Sequence, residues 1–328
     1  MRATLPVLGL CLFGAFAPGS PAAAQPGDAA RDPSPHQVRS VTVDASVRLE
    51  VLDWGGSGPP LVLLACYLSA HVYDAFAPNL TDQFHVYGVT RRGIGASDRP
   101  ASGYSVRQST ADLLDVFDTL RLHQVLLVGH SCAGQVLTMF AAQHGDRLRG
   151  LVYLDGATDP TVMPADVGVP MPDPASLPRA AAARRQRTWA WPRPVEQEHL
   201  DPVIRKAITV DARMTPDYSK VRVPVLAIYQ AQPPFEEVAE GYSIRNERER
   251  AALRQEYAAT RALYTRWQQD LRAGAPTARI VELPGANLFM FLSNEADVLR
   301  ELRRFAAALP IRQRYDDAVI DAGFLHRK

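Results

Sequence analysis

Val125-Leu126-Leu127-Val128-Gly129-His130-Ser131-Cys132-Ala133-Gly134-Gln135 decides how the rest of the chain is read. The apolar run Val125 to Val128 stops at a turn of small residues around Ser131, and a helix-like segment follows from Gln135 to Gln143. A strand that turns this sharply into a helix lifts the serine hydroxyl above the C-terminal edge of a parallel sheet. Small residues two before and two or three after the serine let strand and helix pass closely. Ser131 is therefore the candidate nucleophile. The plainer alternative is a serine that only caps the helix, and the surrounding chain separates the two.

Upstream of the turn, Leu61-Val62-Leu63-Leu64 is unbroken and apolar, as expected of a strand buried on both faces of a parallel sheet. Phe84 to Val89, Leu151 to Leu154, Val223 to Tyr229 and Arg279 to Leu283 are read as further strands. Val41 to Val43 and Val47 to Val51 alternate apolar with polar, which predicts an antiparallel pair turning near Asp44 to Ser46. Helices are predicted from His71 to Leu80, broken by Pro78, and from Ser105 to Leu120, with Leu113, Phe117 and Leu120 on one face. A long helix from about Asn246 to Ala273 carries Leu253, Tyr257, Tyr264, Trp267 and Leu271 on one stripe, assigned to packing, and ends near Gly274. A last helix runs from Asn294, its cap, to Leu309. Strands alternating with helices from Leu61 to Leu309 predict an α/β fold: a mostly parallel twisted sheet with helices on both faces and right-handed crossovers. Ligands in such sheets bind beyond the C-terminal strand ends, where Ser131 and Asp155 both fall.

After Asp155-Gly156 the alternation stops. Residues 157–220 are rich in Pro, Ala and Arg, too long for a simple connection, and are read as a helical lid over that edge, with Trp189 and Trp191 shaping the pocket. The expected organisation is a signal peptide at 1–24, a disordered leader at 25–37, core at 38–156, lid at 157–220, core again at 221–309 and a tail at 310–328. Arg2, the apolar stretch Leu5 to Ala17 and Ala22-Ala23-Ala24 follow the order of a secretory signal cleaved near Gln25. That stretch is well short of the roughly 20 residues of a membrane span. An exported protein, periplasmic or extracellular, without stable membrane insertion is expected. A net charge of +1 gives no electrostatic case for nucleic acid. No metal-ligand spacing, phosphate loop or dinucleotide fingerprint occurs, so no cofactor is expected and the partner is a small-molecule substrate or ligand. No motif speaks to oligomeric state.

Three stretches together resemble the α/β-hydrolase fold superfamily: Gly129-His130-Ser131 at the turn, Arg92-Gly93-Ile94-Gly95-Ala96-Ser97 after the preceding strand, and Val223-Pro224-Val225-Leu226-Ala227-Ile228-Tyr229 before a late loop. The resemblance runs in order from about Val38 to Leu309, interrupted by the lid. It implies a serine hydrolase acting on a carboxylic ester or related acyl bond. Ser131 would supply the hydroxyl. Cys132, at the start of the helix, would donate a backbone N–H to an oxyanion. Tyr67, in the loop after Leu64, would donate a second, with Cys66 standing where the family has glycine.

For the acid, the resemblance favours Asp155, a position some members use, over Glu236 or Glu237 in the commoner place. The base falls at position 288, between Asn287 and Ser293-Asn294-Glu295, and this chain has Leu288 there. Leucine cannot accept a proton, and losing such a base from a serine triad costs about six orders of magnitude in turnover in a well-measured protease. His71 is the best spare histidine, His130 is expected to point away from Ser131, and His326 lies in the tail. Two readings stay open: a serine hydrolase with an incomplete triad and weak or altered activity, or a catalytically inactive member that binds a small apolar ligand. Cys11 would leave with the signal, and the resemblance sets the turns after Leu64 and Val128 side by side, so a Cys66–Cys132 disulfide is expected.

Overall fold

Alternate residues of each apolar run face opposite ways, and that period of two builds a sheet with a core on either side. In β3 (Pro60–Leu64) and β5 (Val125–His130), Leu61, Leu63, Leu126 and Val128 enter one hydrophobic cluster, while Val62, Leu64, Val125 and Leu127 enter the other. Each such side chain, fully buried, contributes about 1.5–3 kcal/mol. The computed structural model describes residues 34–44, 46–181, 200–211 and 213–310. The expected signal peptide, Cys11, Trp189, Trp191 and His326 lie outside the described residues, as do most of the leader and of the tail.

The remaining strands of the main sheet are β1 (Gln37–Val43), β2 (Val47–Gly55), β4 (His85–Val89), β6 (Leu148–Leu154), β8 (Val225–Gln230) and β10 (Arg279–Leu283). Their order is β1-β2-β4-β3-β5-β6-β8-β10. β1 and β2 pair antiparallel, β2 is antiparallel to β4, and every other pair is parallel. The chain lays β4 on one side of β3 and β5 on the other. The order therefore reverses between β3 and β5, which opens a crevice at their C-terminal ends.

Helices α1 (Val106–Thr119) and α2 (Ala133–His144) cover one face through Leu113, Phe117, Val136 and Phe140. α6 (Met290–Ser293) and α7 (Glu295–Ala308) cover the other with Met290, Phe291, Val298, Leu302 and Phe305. Where a single helix is predicted from His71, the chain makes two 3-10 turns, Ala70–Tyr73 and Ala77–Leu80. Pro78 falls in the first turn of the second, where its missing N–H costs nothing. Ser105 and Asn246 cap their helices as side-chain acceptors. Asn294 occupies the cap position of α7 without capping it, and instead donates to the Pro284 carbonyl.

The described part of the segment between β6 and β8 is less helical than predicted. Its described residues hold 3-10 turns at Pro164–Val167, Pro174–Ser176 and Tyr218–Lys220, the short β7 (Arg179–Ala180) and α3 (Pro202–Asp211). β7 pairs antiparallel with β9 (Tyr242–Ser243), which lies between α4 (Phe235–Glu240) and α5 (Glu247–Gly274). Ile204 and Ile208 of α3 pack on Ile94 and Tyr104, so this helix rests on the loop after β4.

The turn that joins β5 to α2 is possible only with small residues. A Cβ on Gly134 would lie 1.8 Å from the Gly156 carbonyl oxygen, and one on Gly129 would lie 2.5 Å from Leu137 Cδ1. The first neighbour is backbone and cannot swing aside. Gly134→Ala is therefore expected to lower stability by about 3 kcal/mol, the upper end of overpacking costs, read as a lower urea midpoint at unchanged slope. A loss below about 0.5 kcal/mol, the size of an ordinary surface change, would show that the close approach is absent.

Candidate active site

β5 delivers Ser131 and β6 delivers Asp155 to the same edge, with His130 and Leu154 in register as the last paired residues. Ser131 has φ +55° and Asp155 φ +49°, both in the left-handed region. Such a conformation costs a non-glycine residue on the order of 1 kcal/mol and persists only where neighbours over-determine it. Here the Ser131 N–H donates to the Leu154 carbonyl (3.0 Å) and the Asp155 N–H to the Ile228 carbonyl (2.8 Å), so each sharp turn is tied to the next strand.

Asp155 is 4% exposed. Its Oδ2 accepts from Gln230 Nε2 (2.9 Å) and from the Tyr264 hydroxyl (2.8 Å), and Gln230 also donates to the Tyr264 oxygen (2.6 Å). Its Oδ1 is buried with no hydrogen-bond partner among the described residues. Burial pushes the carboxyl up to about 6, outweighing the donors Tyr264 and Gln230. Gln230 and Tyr264 are the residues that sequence reasoning missed. Gln230 closes the strand after which the commoner acid position falls, and Tyr264 belongs to the stripe assigned to packing. The stripe does pack, but one hydroxyl in it serves the carboxylate.

The other candidates fall elsewhere. Glu236 is an exposed residue of α4 bound by Arg250 and Arg254, and Glu237 is exposed beside it. His71 Nδ1 meets Asp74 Oδ2 at 2.8 Å and its Nε2 lies 3.7 Å from Glu50 Oε1. Asp74 first, then Glu50, raise its pKa to about 10, so it is charged at neutral pH and accepts no proton. His130 Nε2 donates to the Leu288 carbonyl at 2.9 Å, and its ring lies against Phe289 and Phe291. Burial lowers its pKa to about 4, leaving it neutral. The Leu288 side chain is half-buried and makes only apolar contact.

On the opposite side of the turn, Cys66 and Cys132 are joined as a disulfide, with Cα atoms 5.1 Å apart. Cys132 is the N-cap of α2, and its N–H finds no acceptor among the described residues. The Tyr67 hydroxyl meets Thr209 Oγ1 of α3 at 2.9 Å, which ties the neighbouring loop to the inserted segment. Among the described residues no cluster of three or more His, Cys, Asp or Glu side chains has the arrangement of a metal site, and no helix is long and apolar enough to cross a membrane.

A family model described as alpha/beta hydrolase fold matches residues 59–191, the span from β3 through the serine turn into the insertion. The chain has the α/β-hydrolase fold. It is 32% identical over 101 residues to 2-(acetamidomethylene)succinate hydrolase of Mesorhizobium japonicum, a match covering 30% of this chain and 36% of that protein. Soluble epoxide hydrolase of a Corynebacterium species is 34% identical over 101 residues, covering 30% of this chain and 35% of its own. These matches thus span about a third of the relatives' length. The solved structure of Est816, described as an N-acyl homoserine lactone degrading enzyme, aligns over 81% of this chain and all of its own, with TM-score 0.60 and 19% identity, a likeness of fold.

The Asp155 carboxyl binds its proton more tightly folded than unfolded, since its pKa rises from 3.8 to about 6. Its contribution to stability is complete below about pH 3.8 and is lost as pH rises through about 6. Asp155→Asn removes that loss. From pH 4 to pH 7.5 the variant should gain stability relative to wild type by about 3 kcal/mol, two pKa units' worth. The buried His130 slopes the other way in both proteins and cancels. Parallel pH profiles of the two melting curves would contradict the buried carboxylate.

Proposed function

We propose that the chain is an exported serine hydrolase of carboxylic-ester or related acyl bonds. In it Ser131 is the nucleophile and Asp155 the acid, and the backbone N–H groups of Cys132 and Tyr67 face the oxyanion. The observation that carries this reading is the pairing of a left-handed serine at a strand–helix elbow with a buried carboxylate on the next strand whose Oδ1 has no partner among the described residues. A carboxylate held at such cost, with donors on one oxygen only, fits an acid whose second contact is a base. The hydrolase relatives support the class of reaction, and the secretory pattern at residues 1–24 supports export.

Chemically, Ser131 Oγ adds to the acyl carbon, and the charge that grows on the carbonyl oxygen falls at the N-terminus of α2, where unpaired N–H groups and the helix dipole favour it. The hydroxyl proton must leave at the same time. Leu288 offers no acceptor, His71 is charged and His130 is committed to a backbone carbonyl. Turnover is therefore slow, with water or the substrate taking the proton. The inserted segment, through α3, would form the lid. The second reading, a binding protein for a small apolar ligand, rests on the same Leu288.

Leu288→His supplies a proton acceptor at the position the resemblance assigns to the base. It should raise kcat/KM on short-chain nitrophenyl esters at least about a hundredfold, the usual yield of a placed general base, and speed fluorophosphonate labelling of Ser131 in parallel. Both gains should vanish on adding Ser131→Ala. If neither wild type nor Leu288→His labels at Ser131 while the folded protein still binds apolar ligands, the binding reading replaces this one. If wild type already labels as fast as the variant, another group acts as base.

A further inference from the structure

The Cys66–Cys132 bridge stands between the two residues from which the proposed oxyanion donors come. Cys132 directly follows Ser131 and opens α2, and Cys66 directly precedes Tyr67. The parallel ladder that holds β3 beside β5 ends at Leu64 and Gly129. Beyond that pair the backbones separate, one into the elbow and the other into an irregular loop. The loop is held from below by the Tyr73 hydroxyl on the Leu64 carbonyl (2.9 Å), and further on by the Ala70 N–H on Thr90 Oγ1 (2.9 Å). Between those anchors the disulfide is the covalent tie to the nucleophile turn.

We infer that this bridge is the positioning device of the oxyanion hole, and that a dithiol reductant opens the hole by cleaving it. The inference rests on Ser131 being the nucleophile. Cys66 directly precedes Tyr67, so the loop is tethered at the residue next to the proposed donor. The tether spans 66 residues of sequence, and its partner is the residue whose N–H is to bind the oxyanion. Cys66 is 3% exposed while Cys132 is only partly buried, so an attacking thiolate reaches Cys132 Sγ first. A mixed disulfide forms there and Cys66 leaves as thiolate. The reductant's second thiol then attacks its own sulfur in the mixed disulfide and releases Cys132. The dithiol departs as its cyclic disulfide, and its two hydrogens end on the two protein thiols. Two electrons pass from dithiol to bridge. With the tie cut, Tyr67 and Cys132 are no longer held to one spacing, and loss of about an ångström in such a site costs on the order of a hundredfold.

Two readouts test this on full-length protein, with the redox state of both cysteines established by alkylation and intact mass. The first is the rate of fluorophosphonate labelling of Ser131. The second is the affinity of Ser131→Ala for butyrate, whose carboxylate probes the hole without any nucleophile. Reduction should lower the labelling rate and weaken butyrate binding, each by about tenfold or more, while circular dichroism stays native. Reoxidation should restore both. Cys66→Ser should behave as the reduced protein and ignore the dithiol. In ester turnover the loss should fall on kcat rather than KM, which a merely structural staple would not produce. Equal labelling and equal butyrate affinity in the two redox states overturn the inference, as does butyrate binding in neither. If Ser131 labels in neither state but butyrate affinity still follows the bridge, the nucleophile assignment fails and the hole assignment stands.

Discussion

The close approach of Gly134 to the Gly156 carbonyl is the constraint on which the rest of the molecule depends. It lets α2 start directly over the end of β6, which forces Ser131 into the left-handed region and stands its side chain at the sheet edge. The same approach brings the end of β6, and with it Asp155, alongside the turn. Proposed nucleophile, proposed acid and helix N-terminus are therefore set by one backbone contact rather than by three separate loops. Sheet topology supplies the remainder, since reversal between β3 and β5 places the Cys66 loop against the same turn.

Electrostatically the site is built at a cost. Asp155 sits out of water with one oxygen satisfied by Tyr264 and Gln230 and the other by nothing among the described residues. A buried carboxylate without a cation is destabilising unless protonated, and proteins keep such groups where chemistry needs them. A leucine or asparagine at position 155 would relieve that cost. The neighbouring His130 is neutral for the same reason, burial, and its bond to the Leu288 carbonyl fixes the segment that would carry a base.

Much of this was legible in the sequence. The apolar runs at Leu61–Leu64 and Val125–Val128, and the small residues around Ser131, report a period and a steric requirement that no tertiary context overrides. The cysteine pairing followed from the family resemblance, which sets those two strands side by side. Gln230 and Tyr264 were not legible as carboxylate partners, because a helical aromatic stripe looks alike whether or not one hydroxyl turns toward a buried charge. The 157–220 segment lacked any sustained period, and its described part is accordingly short turns and a single α-helix. The two 3-10 turns after β3 escaped for a related reason: periodicity cannot tell one broken helix from two short ones.

The central claim is that Asp155 is an acid waiting for a base that Leu288 does not provide. Carbon-13 NMR titration of the Asp155 carboxyl in wild type and in Leu288→His tests it directly. The account predicts a titration near 6 in wild type, falling by more than about one unit in the variant, as an imidazole N–H and its positive charge favour the carboxylate. An ordinary carboxylate titration in wild type, or no movement on introducing the histidine, would contradict it.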